Sequence, residues 1–131
     1  MQRERRSKSI LIVEDSATTK ALIKAIVEEM GDFNTVEAGS GFEALKILPT
    51  QEFDLVITDI NMPDINGLEL ISFMKNNPRY NNLPVIIVST ERSEEDIKRG
   101  MSLGAMAYIT KPFKAYELQE VIKKAIVYEG I

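Results

Sequence analysis

The stretch DLVITDINMPDINGLE, residues 54–69, places an acid, Asp59, at the end of a run of strand formers and then breaks into a loop carrying Pro63 and Gly67. A carboxylate at the carboxyl end of a buried strand adds little stability, but it is well placed to attack an electrophile or to hold a cation. Other chemistry-bearing residues stand in the same relation to apolar runs: Glu14 and Asp15 after ILIV, Ser89 and Thr90 after VIIV, Lys111 and Pro112 after AYIT. Singly they suit ordinary duties, with Glu14 or Asp15 capping a helix, Ser89 bonding backbone, Lys111 solvated and Tyr108 half-buried in packing. Brought to one edge, the three acids repel and raise one another's pKa unless a cation is supplied, so the grouping itself implies a bound metal. The chain has no Cys and no His. That excludes disulfides, Cys/His zinc sites and a His base within this chain, and leaves oxygen ligands, which favour a hard ion such as Mg2+.

What brings these residues together is an alternation, five times over, of short β-rich runs with helical patterns, the signature of parallel βαβ units. The expected strands are Ser9–Val13, Asn34–Ala38, Leu55–Thr58, Val85–Ser89 and Ala107–Ile109. Three of them are nearly unbroken Ile, Leu and Val, as strands covered on both faces require. Between the strands, Leu22, Ile23, Ile26, Val27 and Met30 form one apolar stripe stopped by Gly31, Ser40 and Glu43 spell a capping box, and Pro49 closes the second helix. A third helix is expected from Gly67 to Asn76 with Leu68, Ile71 and Met74 inward, and Ser93 opens a fourth. Leu118, Val121, Ile122, Ala125 and Ile126 stripe the fifth. Right-handed crossovers make this an α/β fold, a doubly wound five-stranded parallel sheet whose ligands bind beyond the carboxyl ends of the strands, beside the switch in strand order.

A chain of 131 residues suits one domain with a substantial core, and 44% apolar with 27% charged residues is ordinary globular composition. The net charge of -4 argues against nucleic acid as the main partner, and no DNA binding is expected. The basic start, MQRERRSK, reads as a flexible tail over residues 1–8 ahead of a domain over 9–128. The apolar run Ile10–Val13 meets Glu14 and Asp15 too soon for a signal peptide, and no stretch is long enough to span a bilayer, which implies a soluble, cytoplasmic protein.

The sequence closely resembles the CheY-like receiver domains of two-component response regulators. The resemblance rests on Glu14-Asp15, on Asp59 in TDINMPDINGLEL, on the hydroxyl ending PVIIVST and on Lys111-Pro112 in YITKPF, and it covers roughly residues 8–128. Ser89 and Lys111 lie 30 and 52 residues beyond Asp59, as the family pattern has them. It implies a flavodoxin-like strand order of 2-1-3-4-5 and a cis peptide at Lys111-Pro112. It implies further that Asp59 is phosphorylated by a phosphohistidine on a histidine kinase, the His supplied in trans. Mg2+ would be held by Asp15, Asp59 and the backbone carbonyl of Asn61, and through water by Glu14, with Lys111 and Ser89 holding phosphoryl oxygens. Ser89 and Tyr108 would form the switch, coupled to a docking face on helix 4, strand 5 and helix 5 that carries Ile97, Met101, Tyr108 and Lys114. Such a protein is not an enzyme in the usual sense, although it catalyses its own phosphorylation and dephosphorylation at Asp59. Two residues depart from the family habit: Ser89 keeps the hydroxyl of the more frequent Thr without its methyl, and Thr90 replaces a frequent Ala, narrowing access to the site.

The first reading is a stand-alone chemotaxis-type regulator whose expected partners are a target such as a motor switch or output protein and a phosphatase. A receiver cut from a longer regulator is the alternative. A flavodoxin-like FMN module would use the hydroxyls of Ser16, Thr18 and Thr19, but EDSATT lacks the usual glycine and lies beside acids that repel phosphate. A haloacid-dehalogenase-type phosphatase would want a second acid where Asn61 stands. A pseudo-receiver would have lost an acid or the lysine, and neither is lost.

Overall fold

The computed structural model describes residues 7–31 and 33–130, the side chains of 127–130 excepted. Residues 1–6 of the expected tail therefore lie outside the described residues. Strands β1 (Lys8–Val13), β2 (Phe33–Ala38), β3 (Leu55–Thr58), β4 (Val85–Ser89) and β5 (Ala107–Thr110) alternate with helices α1 (Ala17–Glu29), α2 (Gly41–Ile47), α3 (Gly67–Lys75), α4 (Glu94–Ser102) and α5 (Ala115–Gly130). All pairings are parallel and the order is β2-β1-β3-β4-β5, as the resemblance implies. β1 and β2 each begin one residue before the expected start, and Lys8, given to the tail, opens β1.

The two-residue period of the strands divides the core into two layers. Ile10, Ile12, Leu55, Ile57, Ile86 and Val88 pack with Ile23, Ile26 and Val27 of α1 and with Leu118, Ile122 and Ala125 of α5. Leu11, Val13, Val56 and Ile87 face the other way, against Ala44 of α2 and Leu70, Ile71 and Met74 of α3. Each of these buried Val, Leu, Ile and Met side chains stabilises the fold by about 1.5–3 kcal/mol relative to exposure. Leu22 departs from the expected stripe: it is 49% exposed, because α1 meets the sheet through Ile23, Ile26 and Val27 and Leu22 lies off that line.

Helix ends explain which polar groups remain available for chemistry. Ser16, not Glu14 or Asp15, caps α1 by accepting the Thr19 N–H. Ser40 caps α2 through the Glu43 N–H at 3.1 Å, but the Glu43 carboxylate takes the Gly39 N–H at 2.5 Å instead of that of Ser40, so the return half of the expected box is displaced by one residue. The reciprocal box belongs to α3, between Asn66 and Glu69. Helix α2 ends at Ile47 and runs into a 3-10 turn, Leu48–Thr50, that contains Pro49. Ser93 caps α4 as expected, and Gly31, at φ 138°, follows the end of α1 in the region that favours glycine. Among the described residues no helix is long and apolar enough to cross a membrane.

Candidate functional site

The strand order decides which loops meet. β1 lies between β2 and β3, and Val13 at its end stands opposite both Ala38 and Thr58, so β1 and β3 finish level. The next residue of each strand continues the ladder: Glu14 N–H donates to the Ala38 carbonyl at 2.9 Å and Asp59 N–H to the Val13 carbonyl at 3.0 Å. The backbone thus sets Glu14 and Asp59 side by side. The loop after Asp59 closes back on it, because Gly67 N–H donates to the Ile60 carbonyl and a Cβ at Gly67 would collide with the carbonyl oxygen of Asp59. Gly67 is required by that close approach.

Three carboxylates meet at this edge. Glu14, Asp15 and Asp59 each offer an oxygen within 4.8 Å of the others. Glu14 and Asp59 are buried, at 1% and 8% exposure, whereas Asp15 is open to solvent. Lys111 reaches the pair from the end of β5, its Nζ donating to Glu14 Oε1 at 3.0 Å and to Asp59 Oδ2 at 3.2 Å. The remaining oxygens are engaged as well: Asp59 Oδ1 accepts the Ile60 N–H at 2.6 Å, and Glu14 Oε2 accepts the Ser16 N–H at 3.1 Å. Burial raises the pKa of Glu14, and the charge of Asp59 adds to this against the hydrogen bonds from Lys111 and Ser16. For Lys111, burial alone would lower the pKa; the hydrogen bond to Glu14 and the charges of Asp59 and Glu14 outweigh it and hold the ammonium above its ordinary value. The acids therefore already share one cation, a partial neutralisation that spacing alone did not disclose.

Ser89 is fully buried at the end of β4, where its Oγ accepts the Glu91 N–H at 3.1 Å and its carbonyl accepts the Lys111 N–H at 2.8 Å. Thr90 points to solvent. Tyr108 is half-buried and donates its hydroxyl to the Glu91 carbonyl at 2.8 Å. Burial raises the pKa of that phenol, with a hydrogen bond to Ser89 acting the other way. Its ring lies against Gly100 of α4, where a Cβ would press on both Ile87 and Tyr108. Ile97 is half-buried, while Met101 and Lys114 are exposed. The Lys111-Pro112 peptide is cis.

Two residues of the loop after β4 take part without having been signalled by the sequence. Glu91 Oε2 accepts from Asn61 Nδ2 at 2.7 Å, and Arg92 Nη2 donates to the Lys111 carbonyl at 2.9 Å. In the sequence ERSEED they read as the charged approach to a helix, and their partners depend on how three separate loops lie.

Residues 10–123 match the response regulator receiver domain. The chain belongs to that family. The receiver domain is 37% identical to the chemotaxis protein CheY of Pseudomonas aeruginosa, over 88% of this chain and 93% of that protein. Among solved structures it is similar to the signal receiver domain of a signal transduction histidine kinase from Syntrophus aciditrophicus, with a TM-score of 0.86, 34% identity, and 93% and 92% of the two chains covered. It is similar also to the Mn(2+)-bound form of response regulator Rcp1, with a TM-score of 0.75, 26% identity, and 95% and 93% covered. Family membership makes this a protein of two-component signalling and removes the flavin-module and dehalogenase readings. Receiver domains bind Mg2+ at an acidic cluster and interact with histidine kinases and downstream targets. The donor set here, carboxylates alone with one exposed member open to water, suits a hard divalent ion.

Proposed function

We propose that this receiver domain, its first strand opening at Lys8, accepts a phosphoryl group on Asp59 from a phosphohistidine of a partner kinase. The observation that carries the reading is Asp59 itself, buried at the end of β3 between two further acids and the ammonium of Lys111. In the transfer, a carboxylate oxygen of Asp59 forms a bond to phosphorus as the bond from phosphorus to the imidazole nitrogen breaks, and that nitrogen leaves with the electron pair. Lys111 holds a phosphoryl oxygen by charge and Ser89 holds another by hydrogen bonding, once its Oγ turns from the Glu91 N–H. Asp15, Asp59 and the Asn61 carbonyl would hold Mg2+, with Glu14 close by to act on it through water. When bound, the ion neutralises charge that gathers on the transferring group. A similar response regulator is known in a Mn(2+)-bound form, which supports a divalent ion as ligand of this fold.

Movement of Ser89 towards the phosphoryl group alters the space beside Tyr108 and, through it, the face of α4, β5 and α5 that carries Ile97, Met101, Tyr108 and Lys114. The docking partner is a downstream target such as a motor switch or output protein. The likeness to a chemotaxis protein supports a chemotaxis-type regulator; it would act in the cytoplasm, with a phosphatase as a further partner. The test is incubation with acetyl phosphate and Mg2+ followed by intact mass: the wild type gains one phosphoryl group and Asp59→Asn gains none. Labelling that survives in the Asn variant overturns the assignment.

A further inference from the structure

We infer that Arg92 is a positioning residue for Lys111, setting where its ammonium stands over the phosphoryl group; the inference rests on Asp59 being the phosphoryl acceptor. Lys111 has a long flexible stem, so the place of its Nζ is fixed from two ends. At the head it divides between Glu14 and Asp59, at 3.0 and 3.2 Å. At the backbone its N–H is held by the Ser89 carbonyl at 2.8 Å and its carbonyl by Arg92 Nη2 at 2.9 Å. A phosphoryl group on Asp59 changes what the head meets, because new oxygens stand where the bare carboxylate was. From then on the backbone ties keep the ammonium over the site.

Arg92 is suited to that task by where it is rooted. It follows Glu91 in the loop whose other bonds run to Asn61 and Tyr108, and the same loop begins at Ser89. The guanidinium therefore fastens the backbone of the phosphoryl-binding lysine to the segment that carries the phosphoryl-binding hydroxyl. When that segment shifts, Lys111 is drawn with it, and the two groups close on the same oxygens together. Arg92 itself is exposed and lies outside the acid cluster, so it acts through Lys111 and not on the metal.

The experiment uses the full chain with beryllium fluoride as the phosphoryl mimic, in the wild type, Arg92→Met and Arg92→Lys. Affinity for beryllium fluoride in saturating Mg2+, affinity for Mg2+ alone, and the rate of labelling by acetyl phosphate are measured separately. Arg92→Met is expected to weaken beryllium fluoride binding and slow labelling by roughly three- to tenfold, the size of one hydrogen bond, while Mg2+ affinity stays within about twofold. Arg92→Lys, which keeps a donor of similar reach, recovers part of the loss. The ratio of wild type to Arg92→Met should hold between about 0.05 and 0.5 M salt, since a hydrogen bond is screened far less than a distant charge. Equal beryllium fluoride binding in wild type and Arg92→Met overturns the inference. So does a parallel loss of Mg2+ affinity, which marks general loosening, or a ratio that falls to one in high salt, which marks simple attraction of an anion. If the wild type itself takes up no beryllium fluoride, the Asp59 reading has failed and the inference falls with it.

Discussion

Strand β3 has a buried aspartate at each end, and the two are dressed almost alike. Asp54 precedes the strand, is 8% exposed, accepts the Ser9 N–H at 2.8 Å and lies 4.0 Å from the ammonium of Lys8. Asp59 follows it, is 8% exposed, accepts the Ile60 N–H at 2.6 Å and lies 3.2 Å from the ammonium of Lys111. Burial, a backbone donor and a lysine are therefore common to a structural acid and to one proposed to be reactive. What differs is the surroundings: among the described residues the acid cluster forms around Asp59, with Glu14 and Asp15, and not around Asp54. At Asp59 one ammonium is divided between two buried carboxylates, Glu14 and Asp59, with the exposed Asp15 beside them. Surplus negative charge, more than burial, marks the end of the sheet that is proposed to receive a cation and a phosphoryl group.

The largest expected difference between the two ends is chemical. Asp59→Asn should lose all labelling by acetyl phosphate, whereas Asp54→Asn should label as the wild type does and lose stability instead, by about 1–3 kcal/mol for a weakened buried hydrogen-bonded group. Intact mass and a urea melt on each variant measure both. Loss of labelling in Asp54→Asn with the fold intact would erase the distinction.

The lysines sharpen it. Lys111 is 16% exposed in its side chain and faces a Glu14 carboxylate that is 2% exposed, so Lys111→Met strands buried negative charge. Without divalent ions it should cost about 3 kcal/mol, and Mg2+ should restore part of this by taking over the neutralisation. Lys8, 34% exposed and 4.0 Å from Asp54, makes a contact of the surface kind. Lys8→Met should cost about 1 kcal/mol or less and show no such recovery. Paired chemical melts with and without Mg2+ give the comparison.

Metal linkage tests the surplus charge itself. Mg2+ that binds the folded cluster far better than the unfolded chain raises stability by RT ln(1 + [Mg]/Kd), about 2.7 kcal/mol at a hundred times Kd. Asp54→Asn should keep that increment and Asp59→Asn should lose most of it. In the absence of metal, Asp59→Asn relieves repulsion from Glu14 and Asp15 but also gives up the pair with Lys111, so the two effects largely offset each other. Equal Mg2+ shifts in all three proteins would remove Asp59 from the metal site.

The difference between Asp54 and Asp59 was legible before any coordinates, because in a parallel sheet the carboxyl end of a strand is the binding end and LVIT lies between the two acids. The strands themselves were legible because β1, β3 and β4 are buried on both faces and can be little else than Ile, Leu and Val. Less could be read where the outcome depends on how segments lie against one another. Leu22 belongs to the apolar period of α1, yet neighbouring elements leave it in solvent. Glu91 and Arg92 acquire their roles only when the loops after β3, β4 and β5 converge, which no local pattern encodes.

The smallest effect is expected from a third acid, Asp64, five residues beyond Asp59 and fully exposed. Its carboxylate accepts the Ile65 N–H at 2.6 Å and the Phe42 N–H at 3.2 Å, tying the loop after β3 to the start of α2. The slight desolvation at this position would raise its pKa, but the hydrogen bonds from Ile65, Ser40 and Phe42 outweigh it and hold the group below its ordinary 3.8. A carboxylate whose pKa is depressed on folding contributes stability that is present in full above the unfolded value and is lost as pH falls through the folded one. The sign is thus fixed: wild type should exceed Asp64→Ala in stability at neutral pH, and the difference should close as pH drops below 3.8. Melts of the two proteins through that range, compared as differences so that the titration of other acids cancels, measure it. A gap that stays constant to the lowest pH would mean that the tie is made by the side chain's shape and not by its charge. Asp64 would then stand with the structural acid of the amino end, although it lies in the loop of the proposed reactive one.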